Sequence, residues 1–133
     1  MNDILQKNLF FFTEQASAKN ISIKTVLQNE IKIESNLTLV EILVNNLILN
    51  AIRHNVFNGQ ILIAISKNML TISNTSQHQS LETDKLFFRF SKSTSSEQGN
   101  GLGLSIIKKI TDLNQWQINY SFQNDLHNFQ VRF

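Results

Sequence analysis

The 133-residue sequence predicts one α+β domain, a two-layer α/β sandwich whose mixed, mostly antiparallel sheet is covered on one face by about three helices. Three observations carry this prediction. Short alternating apolar segments come in adjacent pairs, as hairpins do. Stretches with helical apolar spacing separate the pairs. The length suits a single domain with its own core, and 41% hydrophobic residues suffice to fill it.

Residues 3–19 place Ile4, Leu5, Leu9, Phe12 and Ala16 at roughly helical spacing and predict a helix. Residues 21–26 and 30–34 both alternate, and Gln28-Asn29 between them reads as the turn of a hairpin with one buried face. Ser35 or Asn36 caps a long helix to Arg53, with Leu39, Leu43, Leu47 and Ala51 on one stripe. Asn58-Gly59 is a strong turn signal, leading into alternating strands at 60–66 and 69–73 around a Lys67-Asn68 turn. From Asn74 to Asn100 the chain is polar, broken by the aromatic island Leu86-Phe87-Phe88-Arg89-Phe90. A stretch of that length without a clear element is usually functional. Residues 102–113 read as a helix on Leu102, Ile106, Ile110 and Leu113, and strands at 116–122 and 127–133 close the chain.

Composition excludes several classes. Without cysteine there are no disulfides and no thiol, Cys-zinc or iron–sulfur chemistry. No apolar run reaches the roughly 18 residues of a membrane span, and Leu9-Phe10-Phe11-Phe12 is too short and follows acidic Asp3, unlike a secretory signal. A net charge of +2 spread along the chain gives no footprint for nucleic acid. Of four glycines, three sit at Gly99, Gly101 and Gly103, so conformational freedom is concentrated in one place.

Three constellations can carry chemistry. Residues four apart on a helix share a face, so Asn46 and Asn50 project together, and Arg53 and His54 continue that edge. Neutral oxygen ligands suit Mg²⁺, which keeps most of its waters and bridges phosphate oxygens. Gly99-Asn100-Gly101-Leu102-Gly103-Leu104 opens a helix, where unpaired amides and missing Cβ atoms cradle an anion. It is no Walker loop, since no Lys-Ser/Thr follows. Third, the strand at 69–73 ends in Asn74 at a loop mouth. Taken singly, each has a plain structural counterpart: an Asn-rich surface helix, a glycine helix entry, an Asx turn.

Taken together and in this order, these features resemble the catalytic ATP-binding domain of sensor histidine kinases, in the superfamily shared with gyrase, Hsp90 and MutL. The resemblance covers about residues 20–133 and implies a Bergerat-type sandwich with a lid at about 75–100. Residues 1–19 then look like the end of a dimerisation helix or a connector. It implies ATP and Mg²⁺ as ligands, with Asn50 holding the metal against the phosphates and Asn46 as its upstream partner. Arg53 and His54 match positions beside the phosphate chain. Asn74 falls where the family has an aspartate that accepts the adenine amino proton. Phe87, Phe88 and Phe90 match the aromatic box, Gly99, Gly101 and Gly103 with Leu102 and Leu104 the glycine box, and the resemblance makes Lys92 a candidate for reaching the phosphates.

Two departures stand out: Asn74 replaces the aspartate and Ser76 a glycine. An amide oxygen still accepts from an amine, but the NH₂ adds a donor that guanine O6 would welcome. Losing a charge-assisted bond costs on the order of 1 kcal/mol, tenfold or less in ATP affinity. In the ATPase branches a glutamate four residues before the metal asparagine activates water. Here that position is Asn46, which has no useful proton affinity, and Glu41 lies roughly two and a half turns from Asn50. The resemblance therefore implies transfer of the γ-phosphate to a histidine on a separate dimerisation domain, with a response regulator downstream and a cytoplasmic location within a membrane-anchored sensor. The chain's own histidines do not fit the acceptor: His54 belongs to the nucleotide helix, His78 to the lid, and His127 to a strand end at the surface. The alternatives are an interaction module with a degenerate nucleotide site, an anti-sigma-type serine kinase, or an unrelated α/β domain.

Overall fold

Alternation and helical spacing resolve, in the computed structural model, into a five-stranded sheet backed by helices. The structure describes residues 1–76 and 102–133. The elements are α1 (Asn2–Phe11), α2 (Thr13–Ala18), β1 (Ser22–Leu27), α3 (Leu37–Arg53), β2 (Gln60–Ser66), β3 (Met69–Thr75), α4 (Leu102–Leu113), β4 (Gln117–Gln123) and β5 (Leu126–Arg132). The strand order is β1-β2-β3-β5-β4, parallel between β1 and β2 and antiparallel elsewhere. The predicted lid beyond residue 76, with Phe87, Phe88, Phe90, Lys92, Gly99 and Gly101, lies outside the described residues.

Side chains alternate along a strand, so register decides which residues share the buried face. Two rows are apolar throughout: Ile63, Ile72 and Phe129, then Ile65, Leu70 and Val131. The third row, Ile61, Asn74 and His127, turns polar at one end of the sheet. All three of its members are buried. That polar end is where chemistry can sit.

The predicted hairpin at 21–34 is not formed. β1 pairs in parallel with β2, and parallel neighbours need a crossover connection, which 28–36 and α3 provide. Residues 30–34 form no strand. Ile31 still reaches the core, but under the start of α1, where the Met1 amino group contacts Glu30 Oε1 at 2.7 Å and the Ile31 carbonyl at 3.5 Å. Asn29, expected in the hairpin turn, instead accepts from Lys67 N across the β2–β3 turn at 2.7 Å.

The predicted helix over 3–19 is broken at Phe12, which lies between α1 and α2 with φ −95°. Leu5, Phe12 and Ala16 are buried, whereas Phe10 and Phe11 face solvent at 85% and 71% exposure. In α3 the cap is Asn36, whose Oδ1 accepts from Thr38 N at 2.8 Å and Leu39 N at 3.3 Å. Its buried face is wider than one stripe: Val40, Val44, Ile48 and Ile52 join Leu43, Leu47 and Ala51, because the helix packs on the sheet, α1 and α4. α4 has its predicted bounds, but its buried side is Ser105, Ile107, Ile110 and Thr111, while Ile106 and Leu113 point outward. The Asn58 turn is left-handed at φ 62°, and a Cβ on Gly59 would collide with the Asn55 carboxamide.

Candidate functional site

The polar end of the sheet lies beside the last turns of α3. Asn46 and Asn50 are half-buried, one turn apart. Asn46 donates through Nδ2 to the Ile42 carbonyl at 2.7 Å, which leaves its oxygen on the side facing α4. There the missing side chain of Gly103 makes room: a Cβ would stand 3.1 Å from Asn46 Oδ1. The Asn50 carboxamide makes no hydrogen bond among the described residues. Leu104 is half-buried and packs against the core, and Leu102 is the first residue of α4.

α3 ends at exposed Arg53, with His54 as its C-cap. Carbonyls at a helix C-terminus lack partners and carry partial negative charge. Lys19 supplies both needs, its Nζ lying 3.1 Å from the Ile52 carbonyl and 3.2 Å from that of Arg53. His54 titrates below its ordinary value because burial disfavours the imidazolium, with Lys19 and Arg53 adding repulsion.

Asn74, near the end of β3, has no solvent exposure. Its Nδ2 donates to the Thr75 carbonyl at 3.0 Å and to the His54 carbonyl at 3.4 Å. Its Oδ1 is buried with no partner among the described residues. Turning the amide over would set its oxygen against two carbonyl oxygens, so the network fixes the assignment. The donor is committed to the protein, and only the acceptor is left over. Ser76 follows, buried, its N–H held by the Asp125 carbonyl at 3.1 Å.

His127, expected at the surface, is instead 4% exposed and pairs in register with Asn74. Its Nδ1 shares a 2.8 Å hydrogen bond with the Tyr120 hydroxyl. Burial, with a smaller push from His54, lowers its pKa to about 4. The signal that finds it is parity: His127, Phe129 and Val131 are two apart, so a buried Phe129 requires a buried His127.

Glu41 is turned away from this site, its Oε1 3.1 Å from Lys7 Nζ on α1. Among the described residues no three His, Asp or Glu side chains cluster as a metal-binding group. A cation here would therefore rest on carboxamide oxygens and on oxygens that its ligand brings, which suits Mg²⁺ and its retained waters. The structure thus sets Asn46 against Gly103, with Asn50 one turn further along α3, and separately brings together His54 and Asn74, while Arg53 is exposed.

A buried single-faced sheet whose polar end meets an asparagine-bearing helix defines the class. Residues 35–132 match the model of the histidine kinase-, DNA gyrase B- and HSP90-like ATPases, and the chain belongs to that family. Heme sensor protein HssS of Staphylococcus saprophyticus is 32% identical over 123 residues, covering 89% of this chain and 26% of that protein. Sensor histidine protein kinase HK06 of Streptococcus pneumoniae is 30% identical over 134 residues, 98% of this chain and 29% of the relative. The chain thus spans less than a third of the length of these curated relatives. The solved catalytic domain of histidine kinase ThkA superposes with a TM-score of 0.82 at 26% identity, covering 98% of this chain and 90% of that one. ThkA has also been solved in complex with response regulator protein TrrA, where the TM-score is 0.73 at 22% identity over 99% of this chain and 40% of that one. Within that family, the relatives and solved domains to which the chain is similar here carry the names of sensor and histidine kinases.

Proposed function

We propose that this domain binds Mg-ATP and passes the γ-phosphoryl group to a histidine on a separate dimerisation domain, within a two-component sensor. One observation carries the reading: Asn74, wholly buried, has its NH₂ tied to two carbonyls and its oxygen unpaired. A buried acceptor without a partner costs about 1–3 kcal/mol, which an adenine amino group would recover. Asn74 thereby stands in for an aspartate without its charge, and its geometry favours adenine over guanine. The extra donor that would greet guanine O6 is already used.

Asn50, Asn46 and Gly103 would hold the phosphate end. When bound, Mg²⁺ neutralises phosphate charge and lets the anionic groups approach one another. Transfer breaks the bond from the γ-phosphorus to the bridging oxygen and forms one to an imidazole nitrogen, leaving ADP. Water is a poor competitor because Asn46 cannot take its proton and Glu41 is paired with Lys7. His54 and His127 are set into the fold near the site, which favours an acceptor on another domain. That matches a chain spanning about a quarter of HssS. Residues 1–19 serve in this reading as the connector to the dimerisation helix, residues 20–133 as the catalytic domain, and a response regulator receives the phosphoryl group next. The site is placed in the cytoplasm, where ATP is; no helix among the described residues is long and apolar enough to cross a membrane.

Isothermal titration of ATP and ADP, with Mg²⁺ and with EDTA, against wild type and Asn50→Ala tests the proposal. Binding that weakens on losing Mg²⁺ or Asn50 supports it, and phosphohistidine on an added dimerisation domain completes it. No binding at millimolar nucleotide rejects it in favour of a contact module, for which exposed Phe10 and Phe11 would be the surface.

A further inference from the structure

The N-terminal arm reaches the site through one side chain. Lys19 follows α2 and lies outside residues 35–132 that match the family. Its ammonium group caps the Ile52 and Arg53 carbonyls, 33 and 34 residues away in sequence. Its own carbonyl accepts from Asn58 N at 2.9 Å, and the neighbouring Asn20 donates through Nδ2 to Asn58 Oδ1 at 2.6 Å. Residues 52–58 are therefore fastened to the arm at both ends. Between those fastenings sits His54, whose carbonyl is one of the two that orient the Asn74 amide. The other, that of Thr75, is local to β3 and independent of the arm.

We propose that Lys19 is a positioning residue that couples the N-terminal arm to base recognition, by holding the His54 carbonyl where it keeps the Asn74 oxygen free to accept. This rests on the nucleotide reading of the site. Displacing the arm withdraws the ammonium from α3, frees the His54 carbonyl and loosens the Asn74 amide, which then presents donor and acceptor alike. Nucleotide grip thus becomes sensitive to whatever pulls on α1 and α2. Lys19 does so without touching nucleotide.

The test compares ATP with ITP, whose base carries a carbonyl in place of the amine, by calorimetric titration of the full chain. Wild type prefers ATP. In Lys19→Met the ATP-to-ITP preference falls by roughly threefold to fivefold, part of the worth of one hydrogen bond, while Lys19→Arg keeps it. NMR titration gives a second readout: the His54 pKa rises in Lys19→Met, where a nearby positive charge is lost, and not in Lys19→Arg. Arg53 and His127 face His54 in both variants. Should Lys19→Met fail to fold, Lys19→Gln, which keeps an NH₂ donor without charge, carries the same comparison. An unchanged preference in the folded neutral variant overturns the coupling, as does equal loss in Lys19→Arg. A wild type that binds neither ATP nor ITP condemns the nucleotide reading itself, and one that binds both equally overturns base recognition through Asn74 and the coupling with it, before any variant is made.

Discussion

Gly103 on α4 and Asn46 on α3 meet so closely that a Cβ on Gly103 would lie 3.1 Å from the Asn46 amide oxygen, inside ordinary van der Waals contact. The two helices that bear the asparagine pair and the glycine box are therefore set by the absence of a side chain. Gly103→Ala asks Asn46 to give way by only a few tenths of an ångström, a small adjustment for a half-buried side chain. Its melting temperature stays near wild type while ATP binding weakens several-fold. Gly103→Val drives Asn46 further and costs roughly tenfold or more in affinity. Titration beside a thermal melt separates the two effects; undiminished ATP affinity in Gly103→Val excludes a role for this contact.

Restoring the family's aspartate should not help this chain. In Asn74→Asp a carboxylate oxygen would face the Thr75 and His54 carbonyls that the NH₂ now satisfies. With no exposure to relieve it, that repulsion costs about 2–4 kcal/mol at neutral pH. The buried carboxyl titrates upward, so the penalty shrinks as the pH falls and the group is neutralised. Urea unfolding at two pH values measures this. Asn74→Leu, by contrast, removes the acceptor, and ATP should lose its advantage over GTP.

The two depressed histidines make stability fall in mild acid. His127 titrates at about 4 in the folded chain against a usual 6.5, so the unfolded state takes up its proton first. The stabilisation is complete above pH 6.5 and is lost as pH drops from there through 4. At pH 5 the loss is about 2 kcal/mol relative to neutral pH, and His54 adds to it with the same sign. His127→Gln, whose amide can meet the Tyr120 hydroxyl, should flatten the stability–pH curve between pH 7 and 5. A slope as steep as wild type would assign the acid sensitivity elsewhere.

Glu41 offers a control. Its pair with Lys7 is largely solvated, so Glu41→Gln should change stability by less than about 0.5 kcal/mol. Phosphotransfer and background ATP hydrolysis should match wild type. Slower hydrolysis would mean that Glu41 activates water after all.

Much of this protein was legible because local rules dominated locally. The Asn36 cap, the α3 bounds, the Asn58-Gly59 turn and the β2–β3 pair follow from period, capping and turn chemistry within a few residues. The asparagine pair was legible for the same reason, since a helix alone places Asn46 and Asn50 on one face.

Pairing partners were not legible. Residues 21–26 alternate whether they meet 30–34 or β2, and only the packing of Ile31 beneath α1 and the crossover through α3 chose the parallel partner. The orientation of the Asn74 amide was equally hidden, because it depends on a carbonyl twenty residues away and on its own neighbour. His127 had its parity in the sequence, but its meaning came from the register that set it opposite Asn74. The sequence by itself determined most of the elements, though not the fate of 30–34 or the break at Phe12, and the residue types available for chemistry. The tertiary structure decided which polar atoms are satisfied and which are left to bind, since hydrogen-bond saturation belongs to the assembled fold and to no single segment.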